Sequence, residues 1–177
     1  MTIANFISFF RLMLSVGVIW GLRAQHFGWV SVMLGVSAVS DFLDGYLARR
    51  LGQVTQLGVL LDPLADKILV MAGLIYFAVY REISVWFVLS VFFRDISGLM
   101  GVLALGFFKK KAIVSSLMVG KISSGFNLGL IFFLCVNRLY PSLQGVISFF
   151  YGGAVIFVVA SFCIYSVRWF RLFEGKE

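Results

Sequence analysis

Six apolar runs, each approaching the length needed to cross a lipid bilayer, restrict the fold of this chain more than any other feature it has. About 20 apolar residues span the hydrocarbon, and the runs lie at roughly 5–22, 28–51, 57–80, 83–107, 120–138 and 142–168. Inside lipid the backbone must satisfy its own polar groups, so each run is expected to be a helix. The connections between runs are short, which makes successive helices antiparallel. The expected fold is an all-α integral membrane bundle of six transmembrane helices, a single domain over residues 1–177. Composition agrees, with 61% hydrophobic residues, 13% charged residues and a mean hydropathy of +1.01. Soluble domains carry about a quarter charged residues. The first run has no basic residue before it, holds Arg11, and is followed by Gly21-Leu22-Arg23-Ala24, a poor cleavage site. It is expected to be a retained span and not a signal peptide.

The basic residues orient the bundle. Arg49, Arg50, Lys109, Lys110, Lys111, Lys121, Arg168, Arg171 and Lys176 fall at one end, Arg23, Arg81 and Arg138 at the other, and Arg11, Lys67 and Arg94 within helices. The richer end is the cytosolic one, so both termini are expected in the cytosol. The formal net charge of +7 therefore reflects membrane topology. No nucleic-acid partner is expected, and Lys109 to Lys111 read as a flank that meets anionic lipid headgroups. The Phe and Trp residues read as lipid-facing groups or interfacial anchors. Cys135 and Cys163 lie in apolar runs and are expected to be buried thiols. His26, alone in a turn, is given no metal role.

One stretch breaks the apolar pattern. Asp41, Asp44, Asp62 and Asp66 lie near the cytosolic ends of the second and third helices, where an unpaired charge is costly. Asp41 and Asp44 are spaced i, i+3 and Asp62 and Asp66 i, i+4, so each pair shares a helix face, and the two faces are expected to meet across a hairpin. Four neighbouring carboxylates repel unless a counter-charge is present. All-oxygen ligands suit Mg²⁺, Mn²⁺ or Ca²⁺, and a pair of such ions about 4 Å apart could share the four acids. With no Ser, Cys or His in a nucleophile arrangement nearby, direct metal-assisted displacement is favoured over a covalent intermediate. Gly45, Ala48 and Gly58 remove bulk between the helices, which either lets the backbones approach or leaves a slot for a ligand. Pro63 removes a donor from the third helix and is expected to bend it locally; Pro141 is expected to start the sixth. Arg94 and Asp95, being adjacent, are expected to find partners on other helices.

These residues carry a resemblance. The pattern Asp41-x-x-Asp44-Gly45-x-x-Ala48-Arg49-x₈-Gly58-x-x-x-Asp62-x-x-x-Asp66 resembles, position for position, the signature of the CDP-alcohol phosphotransferases. The likeness extends to the span count, the place of the acids and the length. The resemblance implies transfer of a phosphatidyl-type group from a CDP-linked donor to an alcohol, with release of CMP. It implies that Asp41, Asp44 and Asp62 hold two divalent ions, Mg²⁺ or Mn²⁺, and that Asp66 also contacts one and acts as the base. Gly45 and Ala48 would lie against the cytidine, Gly58 would make room for it, and Arg49 would meet the diphosphate. It also implies a homodimer, for which apolar runs in the third and fourth helices are candidate contacts.

The segment Leu61-Asp62-Pro63-Leu64-Ala65-Asp66-Lys67 looks like the branch that makes phosphatidylglycerophosphate or cardiolipin. On that likeness the donor is CDP-diacylglycerol and the leading acceptor glycerol 3-phosphate, with phosphatidylglycerol as the alternative. Arg94 and Lys121 would bind the acceptor phosphate, since guanidinium and ammonium groups are the usual phosphate partners. Asn5, Asp95 and Asn127 depart from the glycerol 3-phosphate branch and look closer to eukaryotic-type cardiolipin synthases. The enzyme is expected in the inner membrane of a bacterium, facing the cytosol. From another class, intramembrane acids also suit a cation- or proton-coupled transporter, although the chain lacks the inverted repeats many transporters show. A non-catalytic scaffold would leave the spacing of the acids unexplained.

Overall fold

The computed structural model describes the backbone of residues 3–51, 56–107 and 114–173, and the side chains of 13–40, 67–98, 120 and 122–164. Six helices fill it: α1 (Ile3–Arg23), α2 (Phe27–Leu51), α3 (Gln56–Val79), α4 (Val85–Phe107), α5 (Val114–Leu139) and α6 (Gln144–Phe173). Each matches one apolar run. α5 begins six residues before the expected start and α6 ends five after the expected stop, because hydropathy marks the lipid-crossing part of a helix while the hydrogen-bonded ladder continues into polar flanks. Among the described residues, Ile122–Leu139 and Gln144–Ile164 are long and apolar enough to cross a membrane; Met13–Arg23, Phe27–Ser40 and Lys67–Val79 are shorter apolar helical stretches.

The helices form two layers of three. α1, α3 and α4 lie side by side in one layer and α2, α5 and α6 in the other, with α1 on α2, α3 on α5 and α4 on α6 joining them. The motif-bearing helices α2 and α3 therefore share two neighbours, α1 and α5. Interlayer packing on that axis is close: a Cβ on Gly73 of α3 would stand 2.8 Å from two side-chain atoms of Ile131 on α5. Between α5 and α6 the fit is reciprocal, with the Phe150 ring over Gly129 and the Phe126 ring over Gly153. Small residues at such contacts let backbones approach where lipid gives no hydrophobic drive to association.

Three turns gather at one end. α1 and α3 both stop in a Schellman motif: His26 N–H donates to the Gly21 carbonyl (2.9 Å) and Gln25 N–H to Leu22 (3.1 Å), and Glu82 N–H donates to Phe77 (2.9 Å) and Arg81 N–H to Ala78 (3.0 Å). Gln25 and Arg81 take the left-handed position of each motif, at φ 58° and 60°. Ser84 starts α4, its carbonyl accepting from Phe87 and Val88. Pro141 does not start α6 as expected. It lies in the α5–α6 turn, where the Asn137 side chain accepts from Leu143 N–H (3.2 Å) and the helix begins at Gln144. Trp20, Trp29, Trp86 and Tyr140 are exposed around this end. His26 stays in its turn beside Trp20, ring centroids 6.2 Å apart.

Cys135 is a buried free thiol. Cys163 is free but exposed, because it falls on the outer stripe of α6. Two buried hydroxyls answer to their own helix: Ser31 and Ser161 donate to the carbonyl four residues back, at 2.8 and 2.7 Å.

Candidate active site

Asp41 and Asp44 lie on α2 and Asp62 and Asp66 on α3, which runs through Pro63 as helix. Counted from the end that carries the turns, at 1.5 Å per residue, Asp41 and Asp44 sit about 21 and 26 Å along α2. Asp66 and Asp62 sit about 20 and 26 Å along α3. The four acids thus occupy one slab of the bundle, toward the end opposite the turns. Their side chains, with those of Gly45, Ala48, Arg49, Gly58 and Lys121, lie outside the described residues, as does the expected meeting of the two acidic faces. Among the described residues no group of three or more His, Cys, Asp or Glu side chains could hold a metal, so the donor set expected for one rests on these four aspartates.

Arg94 is described, and it is 2% exposed. It does not take its partner from another helix, as its adjacency to Asp95 suggested: Nη2 donates to Asp95 Oδ1 at 2.6 Å. The long arginine side chain can fold back to a neighbour that a shorter one could not reach. Its Nε and Nη1 remain buried without a hydrogen-bond partner. Lys67, the residue after Asp66, donates from Nζ to the Asp95 carbonyl oxygen at 3.3 Å. Two cations from adjacent helices therefore meet one acidic residue. Arg94 lies about 14 Å and Lys67 about 18 Å from the turn end, next to the acidic slab on its apolar side.

Ser123 and Asn127 on α5 were not singled out as site residues, yet both are fully buried. Ser123 Oγ and both side-chain amide atoms of Asn127 have no hydrogen-bond partner. Polar residues at i and i+4 inside an apolar helix were the available signal. The arrangement as a whole, acids at one depth with buried unsatisfied donors beside them, suits binding and reaction of a polar, anionic molecule inside the bundle.

A profile of the CDP-alcohol phosphatidyltransferase family matches residues 1–165. The chain belongs to this family. Among curated CDP-alcohol phosphatidyltransferase relatives, a Mycobacterium tuberculosis protein provisionally named cardiolipin synthase is 34% identical over 131 residues, 73% of this chain and 62% of its own length. A Bacillus subtilis protein named CDP-diacylglycerol–glycerol-3-phosphate 3-phosphatidyltransferase is 31% identical, covering 77% of this chain and 68% of its own. An Aquifex aeolicus protein of the same name is 26% identical over 97% of this chain and 98% of its own. The chain spans under two thirds of the length of the mycobacterial relative and nearly all of the Aquifex one. Membership of a CDP-alcohol phosphatidyltransferase family favours group transfer over the ion-coupled transport that the acids alone left open.

Proposed function

We propose that this chain transfers the phosphatidyl group of CDP-diacylglycerol to glycerol 3-phosphate and releases CMP, a step of phospholipid synthesis at a bacterial inner membrane. The observation that carries the reading is the slab: four aspartates at one depth on two helices with common neighbours, bordered by the buried, unfilled guanidinium of Arg94. The family match and the names of the Bacillus and Aquifex relatives support the same choice.

In the proposed reaction the acceptor hydroxyl oxygen bonds to the lipid-borne phosphorus. The bond from that phosphorus to the bridging oxygen breaks, and CMP leaves with the oxygen. The Asp66 carboxylate takes the hydroxyl proton, a role in which a positioned base typically contributes about 10² to 10⁴ in rate. Asp41, Asp44, Asp62 and Asp66 form an all-oxygen donor set of the kind that fits Mg²⁺ or Mn²⁺. Two such ions bound there would neutralise the diphosphate and the departing CMP. Arg49 is assigned to the diphosphate, Gly45, Ala48 and Gly58 to the cytidine, and Arg94 with Lys121 to the acceptor phosphate. Arg94 suits that task because its Nε and Nη1 are buried without partners and each can donate a charge-assisted hydrogen bond to an anionic oxygen.

In this reading all six helices cross the membrane, both termini and the acids face the cytosol, and the aromatic ring at the turns marks the opposite interface. A homodimer in which α3 and α4 meet a second copy would cover part of their exposed apolar surface, which includes Ile75, Leu89 and Phe93. The second reading, cardiolipin synthesis with phosphatidylglycerol as acceptor, is favoured by the 34% identity to the mycobacterial protein.

Product analysis separates the two. Purified protein is given CDP-diacylglycerol, Mg²⁺ or Mn²⁺, and glycerol 3-phosphate, phosphatidylglycerol, inositol phosphate or serine in turn. Phosphatidylglycerophosphate formed from glycerol 3-phosphate is the expected product; cardiolipin formed from phosphatidylglycerol alone would replace the first reading with the second.

A further inference from the structure

Ser123 and Asn127 carry three buried polar atoms that the fold itself leaves unmatched. Burying such groups without partners costs about 1 to 3 kcal/mol each, so their presence calls for an occupant. Ser123 could have donated to its own helix, as Ser31, Ser90, Ser97 and Ser161 do four residues back, and it does not. Their position is defined by packing. Ser123, Asn127 and Ile131 form one i, i+4, i+8 stripe on α5, and Ile131 is the residue seated against Gly73 of α3. α3 and α5 run parallel in the up-and-down bundle. Carrying the Ile131 to Gly73 register down the stripe places Asn127 level with Leu69 and Ser123 level with Ala65, the turn of α3 that holds Asp66.

We propose that Ser123 and Asn127 form a neutral hydrogen-bonding wall that recognises the terminal vicinal diol of a glycerol unit and so sets which alcohol the site accepts. The inference rests on the transferase reading. An Asn amide offers two donors and an acceptor, and a serine hydroxyl one of each, which matches two adjacent hydroxyls and neutralises no charge. Arg94, one helix away, is left for an anionic group on the same molecule. Glycerol 3-phosphate and the headgroup of phosphatidylglycerol share this diol, so the wall serves either acceptor. Ser123 and Asn127 are specificity residues in this scheme, with proton removal left to Asp66.

The test compares wild type with Ser123→Ala and Asn127→Leu in detergent. Each is assayed with two acceptor pairs that differ only in the secondary hydroxyl: glycerol 3-phosphate against 3-hydroxypropyl phosphate, and phosphatidylglycerol against phosphatidyl-1,3-propanediol. Wild type should favour the diol of the productive pair by about tenfold to a hundredfold in kcat/KM, the range expected for hydrogen bonds to buried groups. Both variants should lose that preference, chiefly through KM, while the ligand-free Tm holds or rises because an unmatched buried group has gone. Retained preference, or a fall in Tm that accounts for the lost activity, overturns the proposal. Transfer to phosphatidylglycerol alone, with the preference lost in the variants, revises the acceptor and upholds the wall. Absence of transfer to all four acceptors overturns the glycerol-acceptor reading and the wall with it.

Discussion

Arg138, near the end of α5, forms an ion pair with Glu82 in the α3–α4 turn, and its guanidinium carbon lies 5.6 Å from the centre of the Phe27 ring and 5.9 Å from that of Tyr80. One side chain thus touches the start of α2, the end of α3 and the turn into α4. It holds the three described turns at a common end, and the opposite depth of the acids follows from that alignment.

Removing the two halves of this contact should have unequal effects. Glu82→Gln loses a partly exposed ion pair, about 0.5 kcal/mol. Arg138→Met also loses the two ring contacts, about 0.5 to 1 kcal/mol each. Thermal unfolding in detergent should therefore show Arg138→Met falling further than Glu82→Gln. Equal falls would mean that the rings contribute nothing.

The two Schellman turns place side chains where glycine is favoured. Gln25→Gly and Arg81→Gly each relieve a left-handed residue and should stabilise the protein by about 0.5 to 1 kcal/mol after the extra freedom of the unfolded glycine is counted. Gln25→Ala and Arg81→Ala should be close to neutral. Glycine variants that melt below wild type would contradict the turn geometry.

Gly73 sets the separation of α3 and α5. Gly73→Ala puts a methyl 2.8 Å from Ile131 Cδ1 and Cγ2 and should cost about 1 to 3 kcal/mol through overpacking. Ile131→Ala in the same chain should recover part of that loss, because it removes the colliding atoms. A double variant as unstable as the sum of the singles would show that the helices do not meet there.

Arg94→Lys keeps the charge but replaces the planar guanidinium, which donates from three nitrogens, with a single ammonium. KM for glycerol 3-phosphate should rise about tenfold or more, with KM for CDP-diacylglycerol unchanged. Equal changes in both constants, measured by steady-state CMP release, would remove Arg94 from the acceptor site.

Much of this architecture is legible in the chain because long apolar runs joined by short connections allow few alternatives. Apolar runs of span length must be helices, and short connections must alternate them, so all six helices follow from hydropathy alone. The contacts between them do not. Gly73, Gly129 and Gly153 become close-packing points only when Ile131, Phe150 and Phe126 arrive from another helix. The site divides in the same way. Asp41, Asp44, Asp62 and Asp66 stand out because charge is rare in an apolar run, whereas Ser123 looks unremarkable, and Asn127 shows only as a departure from the glycerol 3-phosphate branch, until burial without a partner sets them apart. The Arg94–Asp95 pair is not legible from helix-face geometry, which neglects the reach of a long side chain.

CMP release from CDP-diacylglycerol in the presence of glycerol 3-phosphate reports whether the aspartates of α2 and α3 perform phosphatidyl transfer with divalent ions. Wild type should require Mg²⁺ or Mn²⁺ and lose activity on chelation. Asp66→Asn should fall by about 10² to 10⁴ with Tm retained, the loss expected when a general base is removed, and Asp62→Asn should fall at least as far. Undiminished CMP release from either variant, or full activity after chelation, would mean that these aspartates and their ions do not carry the reaction.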